Sequence, residues 1–188
     1  SGHVNTSTYA AASGYAGGYA GARAGTLTVS LHAMSVLSGI SHYPTYHRQP
    51  TEVHRDELRV EVGELLMNGP AFRRDADAND VWIELDLLGL ARNAELRTRA
   101  LPKSAARLDF DYAHTVDLRP GSRALATLRD ALRSPNEADS QVYFALKTRD
   151  VHTAAERELA HGFVNLRVLL YENADLVRYP VPLEGGGG

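Results

Sequence analysis

The 188-residue sequence predicts an all-β fold, a two-sheet antiparallel sandwich, on three observations. Apolar and polar residues alternate with period two in one segment after another, the pattern of strands with one buried face. Turn-forming residues punctuate these segments at intervals of about ten positions. The rhythm of strand and long helix that marks a parallel sheet does not occur.

Taken in order, residues 1–25 consist mainly of Ala, Gly, Ser and Tyr, with the near-repeat Gly14-Tyr15-Ala16-Gly17-Gly18-Tyr19-Ala20-Gly21. Such a stretch buries too little apolar surface to offset its chain entropy, so a flexible linker is expected. Ser1-Gly2-His3 reads as a cloning remnant rather than a signal peptide, with native sequence expected on either side. Leu27, Val29 and Leu31 alternate with Thr28, Ser30 and His32, which predicts a strand, taken to span residues 26–37. Residues 38–56 contain Pro44 and Pro50 and are expected to form an extended connector. The main body, residues 57–183, opens with the alternation of Leu58, Val60 and Val62 and then the turn signal Asn68-Gly69-Pro70.

Further strands are predicted where Val81, Ile83, Leu85 and Leu87 share a face, and around Leu108, Phe110 and Tyr112. The same holds at Val142, Phe144 and Leu146, and at Val164, Leu166 and Val168. Between them Leu125, Leu128 and Leu132 recur at helical spacing after Pro120-Gly121, which predicts one short helix. Residues 174–183 read as an edge strand, because Pro180 and Pro182 remove ladder donors, and 184–188 as a glycine tail. Periodicity leaves jelly-roll, immunoglobulin-like and C2 sandwiches open.

Composition excludes several functions. The formal net charge of −3 offers no broad field for a phosphate backbone, so nucleic acid is not expected as a partner. Without cysteine there is no thiol catalysis, thiolate metal site or disulfide framework, and an intracellular setting fits. No apolar run reaches the roughly 18 residues that span a bilayer. The phosphate-loop, dinucleotide-fingerprint and nucleophile-elbow motifs are missing, and none of the eight histidines pairs as HxxxH. Asp109 and Asp111 share a strand face opposite Leu108 and Phe110, the solvent side. The expectation is a non-enzymatic chain with no cofactor.

Particular residues narrow the sandwich. Leu65-Leu66, a loop, and then Asn79-Asp80-Val81-Trp82-Ile83-Glu84-Leu85 resemble the C2 pattern of strand, first loop and following strand. Val142-Tyr143-Phe144-Ala145-Leu146 and His161-Gly162-Phe163-Val164-Asn165-Leu166 resemble its sixth and seventh strands. Across residues 57–183, the stretches Asp80 to Leu87, Phe110 to Leu118, Leu128 to Leu132 and Gly162 to Leu176 are similar to the C2-like domain of the retinitis pigmentosa GTPase regulator-interacting protein family. The resemblance implies a C2-type eight-stranded antiparallel β-sandwich with one short helix. It also implies a scaffold module of the cilium base or transition zone, cytoplasmic, with a partner like the regulator's β-propeller.

In that family the last strand resembles Gly25 to Leu37, which here stands at the front. Either residues 26–37 are the tail of a preceding sister domain, or they complete this sandwich. An unpaired edge is an aggregation hazard, which favours completion. The strand would then lie between those near Leu58–Val62 and Asp175–Tyr179, within one chain or by exchange in a homo-oligomer.

C2 domains that bind calcium use aspartates of the first and third loops. The candidates here are Asp75, Asp77 and Asp80 in the first and Asp150 in the third, where Lys147, Arg149 and Arg157 oppose a cation, so calcium independence is expected. For partner binding the candidates are the basic set Arg97, Arg99, Lys103 and Arg107, together with Trp82. The sole tryptophan points away from Val81 and Ile83, either as core of a second face or as a partner anchor. A peripheral membrane module is the rival reading and is not favoured, because no exposed apolar wedge accompanies the charges.

Overall fold

A computed structural model describes residues 23–40, 56–68, 77–91 and 96–185. Of the expected 1–25 linker, residues 1–22 lie outside the described residues and 23–25 belong to a strand; of the 38–56 connector, 41–55 lie outside them and 38–40 end a helix; of the 184–188 tail, 186–188 lie outside them and 184–185 end a strand. Among the described residues eight strands form: β1 (Arg23–His32), β2 (Glu57–Met67), β3 (Ala78–Asp86), β4 (Leu101–Pro102), β5 (Arg107–Asp117), β6 (Gln141–Asp150), β7 (Glu156–Asn165) and β8 (Leu176–Gly185).

Their order is β4-β3-β6-β7-β8-β1-β2-β5, and the pairings are antiparallel. The link between β7 and β8 is only two residue pairs long, Ala160 with Gly185 and His161 with Glu184. The ladder folds over at that corner into two layers, β4-β3-β6-β7 and β8-β1-β2-β5. Gly162 stands beside it because a side chain would not fit: a Cβ there would lie 2.5 Å from the Pro182 carbonyl oxygen.

The predicted alternations face inward. Leu27, Val29 and Leu31 of β1, Val60 and Val62 of β2, Ile83 and Leu85 of β3 and Val142, Phe144 and Leu146 of β6 share one core cluster. β1 lies between β2 and β8 within the single chain, Leu31 opposite Val60 on one side and Leu176 on the other. At about 1.5–3 kcal/mol per large apolar side chain removed from water, this core is the main stabilising contribution.

The helical content differs from the expectation of one helix. The predicted helix forms as Arg123–Arg133, here α2. Ser122 caps it, its Oγ accepting from the Leu125 N–H at 3.2 Å, while Leu125 and Leu128 turn to the core. The strand expected through residue 37 ends at His32, and Met34–Ile40 forms helix α1. Asp175 drives that change, its Oδ1 accepting from the backbone N–H groups of Ala33 and Met34 at 2.9 and 2.8 Å. The strand expected through Val168 ends at Asn165, and Arg167–Glu172 forms helix α3. Asn165 Oδ1 accepts from the Arg167 N–H at 2.9 Å, and Asn173, at φ 50°, ends the helix. A 3-10 turn, Glu137–Ser140, precedes β6.

Sheet β8-β1-β2-β5 is interrupted by irregular register at Leu27/Val29 against β2, Val29/Leu31 against β8 and Val62/Glu64 against β5. Such bulges bend a sheet and increase its twist.

Candidate functional site

The outer face of the β3-β6-β7 layer gathers most of the chemically active side chains. Along β3, Val81 and Ile83 belong to the core cluster, so Trp82 and Glu84 point to the opposite, outer side. Cross-strand register brings Trp82 opposite Lys147, Glu84 opposite Ala145, Ala145 opposite His161 and Tyr143 opposite Phe163. An isolated bridge between Glu84 and Arg97 lays one more residue alongside.

Trp82 is only 2% exposed although it faces outward. The Arg97 guanidinium covers it, 3.9 Å from the ring centroid, a cation–π arrangement. Its indole N–H is buried with no acceptor among the described residues. Arg97 is held by Glu156, whose Oε1 accepts from both Nη1 and Nη2 at 3.1 Å, and Arg149 donates to the same oxygen. The Arg149 hydrogen bond, with help from Arg97, holds the Glu156 carboxyl below its ordinary range. Lys147 Nζ donates to Glu84 at 3.0 Å.

Beside this network, the rings of Tyr143 and His161 stack with centroids 5.4 Å apart. Tyr143 Oη donates to Glu158 Oε1 at 3.0 Å, and His161 Nδ1 lies 2.9 Å from the same oxygen. Burial, and next the bond to the Glu158 carboxylate, push the Tyr143 phenol above its usual range. Phe163 completes the face and is 54% exposed. The arrangement is an aromatic strip between paired charges, built to present surface.

The basic residues singled out in the sequence do not form one patch. Arg97 lies on this face, whereas Arg107 of β5 is 2.6 Å from Glu64 of β2 in the other layer, and Arg99 donates to the Asp109 carbonyl at 3.2 Å. Lys103, expected as a partner-binding residue, is buried. Its N–H bonds the Asn79 carbonyl at 2.8 Å and lays β4 along the edge of β3, tucking the side chain in.

Of the first-loop acids, Asp75 lies outside the described residues, and Asp77 and Asp80 are exposed. Asp77 and Asp150 meet at one end of the sandwich, where the Val151 N–H bonds the Asp77 carbonyl and His152 Nε2 is 3.5 Å from Asp77 Oδ1. Asp150 Oδ1 accepts from the N–H groups of His152 and Thr153 and from Thr153 Oγ1, at 2.8–3.0 Å. These bonds, led by the Thr153 N–H, lower the Asp150 pKa. Among the described residues, no group of three or more His, Asp or Glu side chains is placed to hold a metal ion. No described helix is long and apolar enough to cross a membrane.

Two surface depressions of about 340 Å³ each open elsewhere. One lies where Leu90 and Ala124 approach Val116, and the other lies on the outer face of the β8-β1-β2-β5 layer.

With this strand order and the two-layer closure, the fold is an eight-stranded antiparallel sandwich of the C2 type. No family model matches the chain, and no curated protein matches it by sequence. Solved structures similar to it include the first, or A, C2 domain of RIM from Drosophila, at 11% identity and TM-score 0.49, covering 86% of this chain and 99% of that one. The corresponding A domain of RIM2 is similar at 12% identity and TM-score 0.46, covering 86% and 98%. A structure of CC2D1B, described as coordinating ESCRT-III activity during mitotic reformation of the nuclear envelope, is similar at 17% identity and TM-score 0.43. It covers 64% of this chain and 46% of that one. These are likenesses of chain path.

Proposed function

We propose that this chain is a protein-interaction module whose partner docks on the outer face of β3-β6-β7. The observation that carries the reading is Phe163, a large apolar side chain 54% exposed beside the Tyr143–His161 stack and bordered by the ion pairs of Glu84, Glu156 and Arg97. An aromatic anchor within a polar rim is the usual anatomy of a binding hot spot. Trp82 serves beneath this surface as a buried support for Arg97. The resemblance of residues 57–183 to the domain of the retinitis pigmentosa GTPase regulator-interacting proteins supports a finer reading, a ciliary scaffold segment that engages the regulator's β-propeller. Calcium plays no part in this reading, which is supported by the use of Asp150 in capping its own turn.

Calorimetry with the purified β-propeller tests it. Wild-type chain should bind, and Phe163→Ala should weaken binding at least about tenfold, or ~1.4 kcal/mol, while leaving the melting temperature unchanged. Propeller binding untouched by Phe163→Ala overturns the assigned face. Flotation on anionic vesicles without propeller binding overturns the protein partner in favour of a membrane surface.

A further inference from the structure

The outer face of the β8-β1-β2-β5 layer is a separate feature that the preceding reading does not use. Three register irregularities converge on it, between Leu27 and Val29, Val29 and Leu31, and Val62 and Glu64. The bent sheet holds a polar groove of about 340 Å³ floored by Thr28, Ser30 and Gly63. Two of its lining residues, Arg178 and Asp111, have left-handed backbones at φ 53° and 44°, a conformation that non-glycine residues rarely adopt. Strained backbone of this kind concentrates at functional positions. The strain at Arg178 is held in place by its own N–H, which donates to Ser30 Oγ at 3.1 Å.

The charges of the groove sort into paired and unpaired. Arg59 is paired with Glu61 at 2.8 Å, and Arg107 with Glu64 at 2.6 Å. Arg178 on the β8 wall makes no side-chain ion pair among the described residues, and neither do Asp109 and Asp111 on the β5 wall. Among the described residues the groove therefore presents a cation without an ion pair on one side and, on the other, two carboxylates without one, of which Asp109 accepts only the Asp111 N–H, through Oδ1 at 3.2 Å. From β8 to β5 is three inter-strand spacings, about 14 Å, which an extended chain covers in roughly four residues. A phosphate headgroup is disfavoured by Asp109 and Asp111, and a free amino acid is too short to reach both walls.

We propose that this groove binds an extended peptide segment of a partner protein, with an acidic side chain set against Arg178 and a basic one, four residues away, against Asp109 and Asp111. Both ends of the recognition are charge complementarity, with the polar floor supplying hydrogen bonds.

The probe is a capped nonapeptide, acetyl-Ser-Thr-Glu-Val-Thr-Val-Lys-Thr-Ser-amide, titrated into the isotope-labelled full chain and followed by amide chemical shifts. Versions with Glu at both charged positions, Lys at both, and adjacent Glu-Lys serve as comparisons. The expected result is a set of shifts centred on Ser30, Gly63, Asp111 and Arg178. Affinity for the Glu/Lys peptide should exceed that for each comparison peptide by about tenfold.

Arg178→Glu should reverse the preference, making the Lys/Lys peptide the tightest. Arg178→Gly, which relieves the left-handed backbone, should remove the preference without loss of folding, and it carries the test if Arg178→Glu does not fold. Equal binding of all four peptides, shifts confined to the β3-β6-β7 face, or an Arg178→Gly chain with unchanged preference would each overturn the proposal. So would groove shifts produced by anionic vesicles and by no peptide. Phe163→Ala leaves this groove intact, so the two surfaces succeed or fail separately.

Discussion

At the scale of single residues, Arg97 explains how a tryptophan on an outer sheet face comes to be shielded. Its guanidinium is fixed from below by the Trp82 ring and from the side by Glu156, which also takes Arg149. Because Trp82 is the sole tryptophan, its emission reports this contact directly. Arg97→Ala should shift the emission to the red and lower stability by ~0.5–1 kcal/mol, the scale of a cation–π contact near the surface. Emission unchanged in wavelength would mean that some other group covers the ring. Trp82 and Arg97 were legible in the sequence as a lone tryptophan and a member of a basic run, but not as partners. The bridge that unites Arg97 with Glu84 is one isolated pair, and a single pair leaves no periodic trace. Tyr143, His161 and Phe163 leave no signal in the sequence for a related reason: each is an ordinary outward position on its own strand, and only the register of β6 with β7 makes them one surface. Lys103 shows the converse, a cation that any sequence pattern would place in water and that β4 folds inward.

At the scale of elements, alternation was a dependable guide wherever strands are half-buried, as at Leu27, Val29 and Leu31 or Val142, Phe144 and Leu146. It was misleading where a helix follows a strand without a break. Met34-Ser35-Val36-Leu37 continues the apolar beat of β1, and what turns it helical is a carboxylate more than 140 residues further along, Asp175. Likewise Val168 reads as strand by its β-branched side chain, yet it lies in α3. β1 itself is the element on which most depends. Leu27, Val29 and Leu31 are each at most 1% exposed, and at ~1.5–3 kcal/mol apiece their burial totals about 5–9 kcal/mol. That is comparable with the entire net stability of a typical domain, about 5–15 kcal/mol. Deletion of residues 1–40 should therefore give a chain that is unfolded by circular dichroism or aggregated on gel filtration. A truncated monomer melting at the wild-type temperature would show that β1 is dispensable.

At the scale of the whole molecule, the exposed carboxylates Asp117, Asp150 and Glu156 all have folded pKa values below their ordinary ones. Asp117 owes this first to the Arg119 N–H, Asp150 to the Thr153 N–H, and Glu156 to the Arg149 side chain. The unfolded chain takes up these protons at higher pH than the folded chain does, so the stabilisation is fully present above the unfolded carboxylate range of about 4. It is lost as pH falls through the folded values. Melting temperatures should hold between pH 7 and 5 and decline towards pH 3, and Asp150→Asn should flatten that decline. An unaltered slope in the variant would place the acid sensitivity elsewhere. The pairing of β1 with β8 also bears on how the chain is made. Ser30 and the Arg178 N–H that it binds are 148 residues apart, so a ribosome elongating at ~5–20 residues per second exposes the first strand about 7–30 seconds before its last neighbour emerges. Over that interval β2 can cover one side of β1, while the other remains an open template. On polysomes, where nascent chains are crowded together, fidelity then rests on the tethered β8 arriving before a neighbouring chain's copy does.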